Sequence, residues 1–193
     1  MSIYVREIIE SSIAVKQKLL DDAAFASSIE NLSVKCLNSL RNGGKIIFCG
    51  NGGSFADAQH LSAEVTSRFL FDRAPLASIV LGANNSAISA IGNDYGYDQV
   101  FAREFSGVAK KDDLFIPITT SGVSQNIIAA VETARSLGNT TVALTGNGGG
   151  KLSKLCDMIC VPSEETARIQ ECHIMIGHIV CEIVEKHYFS SVD

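Results

Sequence analysis

Two short turns carry the residues best suited to holding an anion. The first is Gly50-Asn51-Gly52-Gly53-Ser54, and the second, Thr119-Thr120-Ser121-Gly122-Val123-Ser124, packs four hydroxyls into six residues. Each lies between an apolar strand pattern and a helical one, so free backbone N–H groups and the positive end of a helix dipole meet there. Hydroxyls added to such a nest can surround a phosphate without any lysine. Ser54 falls where an N-cap hydroxyl belongs and could bond either the helix's own N–H groups or a phosphate oxygen. A serine-rich cap would not by itself need the hydroxyls of the second turn.

Beyond Ser54, His60 and Glu64 stand four residues apart in an Ala-rich segment of good helix propensity, so their side chains project from one face. Taken alone, this is the spacing of an ordinary exposed helix pair. Downstream of an anion loop it points toward chemistry. Gln170 and His178 are polar exceptions on an otherwise apolar terminal helix, a little over two turns apart and within about a quarter turn of each other around the axis. Each singly reads as a satisfied core or interface residue, and together they invite a partner.

The elements that must position these groups follow from periodicity. Tyr4, Val5, Ile8, Ile9, Ile13, Leu19 and Leu20 recur near a helical period until Asp21-Asp22 interrupts them. Phe25, Ile29, Leu32, Cys36, Leu37 and Leu40 form a second amphipathic helix, capped by Asn42-Gly43. Strands are predicted over 45–48, 77–81, 114–118, 140–144 and 158–161, with Pro117 removing one ladder donor from the third. Between them the pattern predicts helices from the Ala-rich segment, over 84–91, over 127–137 and after the turn at 146–150. Residues 92–97, Gly-Asn-Asp-Tyr-Gly-Tyr, read as a loop, either a plain turn or a carrier of ligand contacts. The last helix, 166–189, is apolar around most of its circumference and should be buried, in the core or between subunits. Strands alternating with helices predict an α/β domain with a parallel sheet covered on both faces and ligands at the carboxyl ends of the strands.

Composition narrows the function classes. A chain of 193 residues suits one domain with a full core, spanning 1–193 with leading helices over 1–41. A net charge of −5 without a Lys/Arg cluster argues against nucleic acid held through its phosphates. No apolar run reaches membrane-spanning length, and charge breaks the N-terminal segment, so a cytoplasmic protein is expected. The six cysteines sit in apolar patterns and are expected as buried free thiols; Cys156 and Cys160 lack the second pair a metal site would need. The Walker pattern fails because no Lys precedes Ser54 or Ser124. The dinucleotide pattern fails because a third glycine and an acidic ribose ligand are missing.

Five spaced motifs carry a resemblance: Gly50-Asn51-Gly52-Gly53-Ser54; Asp57 with His60 and Glu64; Asn93-Asp94-Tyr95-Gly96-Tyr97; Thr120-Ser121-Gly122-x-Ser124; and Ala167-Arg168-Ile169-Gln170-Glu171-x-His173. Together, in this order and over nearly the whole chain, they resemble the phosphoheptose isomerases of the sugar isomerase (SIS) domain class. The resemblance implies a flavodoxin-like, five-stranded parallel sheet sandwiched by helices and a homotetramer with active sites between subunits. It implies Ser54, Thr119, Ser121 and Ser124 as phosphate ligands, and Asn51, Gly52, Gly53, Asn93, Asp94 and Thr120 as the lining of the sugar site. His60, Glu64, Gln170 and His178 would hold zinc, with Glu64 and Gln170 also facing the substrate. The chain departs from the family in Thr119, where Ser is frequent, and in Val123, where Asn is frequent.

The implied reaction converts sedoheptulose 7-phosphate to D-glycero-D-manno-heptose 7-phosphate, for surface polysaccharide heptose. An aldose–ketose conversion moves a proton between neighbouring carbons, which requires a base and a stabiliser of the enediolate oxygen. Glu64 is the candidate base and His178 the candidate acid, with zinc polarising the carbonyl. A non-catalytic relative that binds the replication initiator DnaA shares the fold but typically lacks the carboxylate and the last imidazole; both stand here. Isomerases of other phosphosugars, such as arabinose 5-phosphate, usually carry extra regulatory domains, for which 193 residues leave no room.

Overall fold

A computed structural model describes residues 2–190; residues 1 and 191–193, the ends of the expected 1–193 domain, lie outside it. Two helices lead, α1 (Ser2–Asp21) and α2 (Ala23–Arg41). Asp22 separates them because its carboxylate accepts the Ala24 N–H at 2.9 Å and caps α2. There follow β1 (Ile46–Gly50), α3 (Gly53–Thr66), β2 (Ser78–Val80), α4 (Asn85–Tyr95), α5 (Val100–Val108), β3 (Leu114–Thr119), α6 (Gln125–Leu137), β4 (Thr140–Thr145), β5 (Asp157–Cys160) and α7 (Thr166–Phe189). A short 3-10 turn (Asn147–Lys154), kinked at Gly148, Gly149 and Gly150, joins β4 to β5.

All five strands are parallel, in the order β2-β1-β3-β4-β5. This is the doubly wound, flavodoxin-like order, in which the chain reverses between β1 and β3, and the expected α/β sandwich is observed. Side-chain alternation along the strands builds the two layers. Ile46 and Phe48 of β1 with Leu114, Ile116 and Ile118 of β3 face the core that takes in α1, α2, α3 and α7. Ile47, Cys49 and Phe115 face the opposite core, shared with α5 and α6. Among the described residues no helix is long and apolar enough to cross a membrane.

Pro117 removes a ladder donor as expected, and three other expectations need correction. Pro117 lies in an interior strand, opposite Cys49 of β1, and the β3–β4 pairing skips from Phe115↔Thr141 to Ile118↔Leu144, where its missing N–H interrupts the ladder. The helix expected over 84–91 runs on through Asn93, Asp94 and Tyr95, so the loop expected at 92–97 is largely helical. Asn84 caps its start by accepting from Ser86 and Ala87 N–H, and Gly96, at φ 88°, rather than Gly92, stops it. Ser54 is not an N-cap: Gly52, at φ 55°, takes that position, and Ser54 falls inside the first turn of α3, 3% exposed. All six cysteines are free, but Cys156 and Cys160 are only half-buried.

The terminal helix α7 is fastened on three sides. Arg168 donates to Ile8 O of α1 at 3.2 Å, and Glu171 accepts from Ser12 at 2.7 Å and from Arg168. Glu185, 1% exposed, accepts from Phe69 N, Leu70 N and Arg73 Nε. Burial alone would raise its carboxyl pKa, but those two backbone N–H groups and the Arg73 guanidinium hold it below the usual range. His173 is fully buried, with Nε2 3.1 Å from the carbonyl of Thr145. An acceptor there requires Nε2 to donate, and because Nδ1 is buried without a partner among the described residues and burial disfavours the charged ring, the imidazole is neutral with its proton on Nε2. Burial pushes its pKa down to about 4, against a small opposing effect of the Thr145 bond.

A folded pKa of about 4 against an ordinary 6.5 fixes the sign of one pH effect. Between those values the unfolded chain binds the proton and the native chain does not, so His173 withdraws stability as pH falls through that window, by roughly 3 kcal/mol at the lower end. Urea unfolding from pH 7 to pH 4 should therefore show a shallower loss in His173→Gln, which keeps the donor without the titration, than in wild type. Parallel curves for the two proteins would contradict it.

Candidate active site

Both glycine turns open at the carboxyl edge of the sheet, after β1 and after β3, on either side of the point where the winding reverses. In an open α/β sheet this crevice is where ligands bind. Residue types explain how close the turns come. A Cβ on Gly50 would lie 2.4 Å from Ser54 O, so only glycine lets α3 start immediately beside the strand end. The second turn is pressed from behind by the loop after β4: Gly146 N donates to Thr120 O at 3.1 Å and Lys151 N to Gly122 O at 3.0 Å. A Cβ on Gly122 would lie 2.1 Å from Gly149 O.

The loop hydroxyls are lightly engaged. Thr119 Oγ1 accepts Gly122 N and Ser121 Oγ accepts Val123 N, each at a long 3.4 Å. Ser124 takes the N-cap position of α6 with no side-chain capping bond. Thr119 and Ser54 are buried, at 5% and 3% exposure, while Ser121 and Val123 face outward.

The reactive side chains converge between α3 and α7. His60 Nε2 lies 3.1 Å from Glu64 Oε1, and the His60 and His178 rings meet edge to face with centroids 5.0 Å apart. Phe69 flanks His178 at 5.6 Å. One donor atom from each of His60, Glu64 and His178 lies within 4.8 Å of the others. The two helices run side by side because Gly177 has no side chain: a Cβ there would fall 2.4 Å from both Leu61 methyl carbons. Leu61 and Gly177 directly adjoin His60 and His178 in sequence, so the packing contact sets the distance between the imidazoles.

Two imidazoles and a carboxylate are the donor set of an open, catalytic zinc site, which leaves a position for another ligand. The residues fit a zinc ion. Asp57, one turn before His60, has Oδ2 buried without a hydrogen-bond partner among the described residues. Burial raises its carboxyl pKa, while His60 and His178 oppose that rise. Gln170 is placed differently from the three clustered residues: its carboxamide lies against Gly53, where a Cβ would be 2.6 Å from Nε2. It stands at the start of α3, some 12 Å along α7 from His178. Asn93 and Asp94 are exposed on the last turn of α4 and bond each other at 2.8 Å.

Sequence reasoning missed Asn126. It is 3% exposed in the first turn of α6 and exchanges two 2.9 Å side-chain hydrogen bonds with Asn51 across the crevice. It missed Arg73 as well, which donates to Glu64 O at 2.8 Å while paired with Glu185, tying the backbone of one clustered residue to α7. Neither has a local signal, because each acts on a partner distant in sequence.

Residues 9–146 match the SIS domain family model. The chain is 47% identical to the phosphoheptose isomerase of Sulfurimonas denitrificans and 48% identical to that of Aneurinibacillus thermoaerophilus, each over 190 residues. Those alignments cover 98% of this chain with 97% and 96% of the relatives. The chain belongs to the phosphoheptose isomerase family of SIS domain proteins. Among solved structures, a phosphoheptose isomerase from Francisella tularensis superposes with a TM-score of 0.91 at 37% identity, covering 96% of this chain and 99% of that one. One from Neisseria gonorrhoeae gives 0.89 at 38%, covering 96% and 98%. Membership places the chain among enzymes that isomerise phosphosugars.

Two glycines of similar φ separate backbone conformation from steric contact. Gly148, at φ 69°, has nothing within 4 Å of a Cβ, whereas Gly122, at φ 64°, meets Gly149. Gly148→Ala is expected to lower the unfolding free energy by about 1 kcal/mol, and Gly122→Ala by about 3 kcal/mol because the loop must also move. Urea denaturation measures both, and equal losses would refute the contact.

Proposed function

We propose that the enzyme interconverts sedoheptulose 7-phosphate and D-glycero-D-manno-heptose 7-phosphate, supplying heptose for surface polysaccharide. The observation that carries the reading is the convergence of His60, Glu64 and His178 on one spot between α3 and α7. The same α3 begins at one of the two glycine turns. The relatives named as phosphoheptose isomerases over nearly the whole chain support the substrate. Both Glu64 and His178 are present, which weighs against the non-catalytic, initiator-binding alternative.

Ser54, Thr119, Ser121 and Ser124 are assigned to the phosphate, together with the N–H groups of the two turns, which supply fixed donors where lysines are absent. Asn51, Gly52, Gly53, Asn93, Asp94 and Thr120 are assigned to the sugar. His60, Glu64 and His178 are assigned as zinc ligands; Gln170, the fourth ligand the resemblance implies, lies against Gly53 and away from that cluster, and is assigned to the substrate. Bound zinc would act as a Lewis acid on the substrate carbonyl. Glu64 is assigned the proton transfer: it removes the proton from the carbon beside the carbonyl and returns it to the neighbouring carbon. His178 donates to the oxygen on which charge develops in the enediolate. The 3.1 Å contact with His60 orients the Glu64 carboxylate, and the rings of His60 and Phe69 confine His178.

We also read the assembly as a homotetramer with active sites between subunits, in the cytoplasm. Ile3, Tyr4, Val5, Ile9, Ile13 and Leu20 of α1 are each more than half exposed, an apolar surface that association would cover. Six free cysteines suit a reducing compartment.

Product identification by NMR after incubation of sedoheptulose 7-phosphate with zinc-loaded protein tests the reading. Wild type should form the aldose, and Glu64→Gln should keep the melting temperature while turnover falls at least about a hundredfold. An unchanged substrate with wild type would remove the assignment, and full activity in Glu64→Gln would remove Glu64 as the base.

A further inference from the structure

Asn51 and Asn126 form a closed amide pair across the crevice: Asn51 Nδ2 donates to Asn126 Oδ1, and Asn126 Nδ2 donates to Asn51 Oδ1, both at 2.9 Å. The orientation of such a pair is ambiguous unless a third group breaks the symmetry. Here Ile127 N, a backbone group that can only donate, reaches Asn126 Oδ1 at 2.9 Å. That bond fixes which end of the Asn126 amide is oxygen, and the pairing then fixes Asn51. Asn51 Oδ1 also accepts from Tyr97 OH at 3.3 Å. The Asn51 oxygen is therefore taken twice, and what the residue has left is one N–H.

Burial assigns the roles within the pair. Asn126 is 3% exposed, whereas Asn51 is half-buried at the carboxyl end of β1, in the crevice between the turns. We propose that Asn126 is a positioning residue that holds Asn51 with its free N–H toward the sugar, so that Asn51 meets the substrate as a donor to an oxygen. The inference rests on the sugar-site reading of Asn51 given above and assigns a role to a residue outside that site. Without Asn126, the Asn51 amide is free to rotate and present its oxygen or its nitrogen, and the first turn loses its paired side-chain hydrogen bonds to the start of α6.

A double-mutant cycle in ligand affinity tests this without turnover. Calorimetry on metal-stripped protein would measure sedoheptulose 7-phosphate binding by wild type, Asn51→Ala, Asn126→Leu and the double variant. Asn126→Ala serves as a second cycle if the leucine perturbs folding, and urea unfolding is recorded for each protein. Asn126→Leu is expected to weaken binding about tenfold in the wild-type background and less than about twofold in the Asn51→Ala background. Equal weakening in both backgrounds, or none in either, overturns the proposal, as does a wild-type chain that does not bind the sugar phosphate. Wild type that binds in this assay but, once loaded with zinc, does not isomerise sinks the functional reading alone and leaves the cycle interpretable.

Discussion

The close approach of α3 and α7 is the constraint on which the reactive half of the molecule depends. It exists because Gly177 presents bare backbone to Leu61, and a single Cβ would have to push that leucine, 1% exposed, away from the core. Protein interiors do not absorb such a displacement locally. The imidazoles one residue along each helix owe their 5.0 Å separation to that contact. The buried Arg73–Glu185 pair acts at the far end of the same seam. It ties the segment after α3 to α7, and Arg73 also binds the carbonyl of Glu64, so the carboxylate is anchored through its own backbone. Burying such a pair is no guarantee of stability, and its value here is geometric.

The two glycine turns, which we assign to the phosphate, are built on a different principle. Main-chain groups, not charged side chains, shape them, and backbone can be placed this closely only where glycine permits. The loop after β4 presses carbonyls and amides directly onto the second turn, at Gly146, Gly122 and Gly150. Dipoles and N–H groups held by such packing are preorganised, so they need little rearrangement when an anion arrives. A lysine would supply more charge at the expense of a flexible stem.

Legibility in the sequence followed the range of the interactions. The limits of α7 were readable, 166–189, because its apolar pattern is long and continuous. The strand count and the parallel sheet were readable from alternation. The end of α4 was misjudged because Gly92 and the Asn-Asp pair look like a loop, while a helix accepts them when Gly96 offers the positive φ that ends it. Ser54 was misplaced by two positions because Gly52 can cap through conformation alone, with no side chain to signal it. His60 and Glu64 were legible as a pair four residues apart. Their meeting with His178 depends on Gly177, which by itself looks like a mere weakness in a helix. Asn126 was invisible because its partner lies 75 residues away.

The two halves share one element. Helix α3 starts at the first glycine turn, which we assign to the anion, and two to three turns later it carries His60 and Glu64. A rigid helix rises about 1.5 Å per residue, so the glycine-turn end and the His60 end are held at a set separation of roughly 10 Å. A phosphorylated sugar whose reacting carbons lie several bonds from its phosphate matches such a ruler, whereas the phosphate itself does not reach the cluster. Gln170 of α7 lies against Gly53 at the first mark on that ruler and His178 lies near His60 at the second, so α7 runs alongside α3 and repeats the spacing. On the proposed reading, discrimination between sugars of different length would reside in the rigidity of two packed helices more than in any one contact, because each wrong length would leave either the phosphate or the carbonyl out of register with its groups.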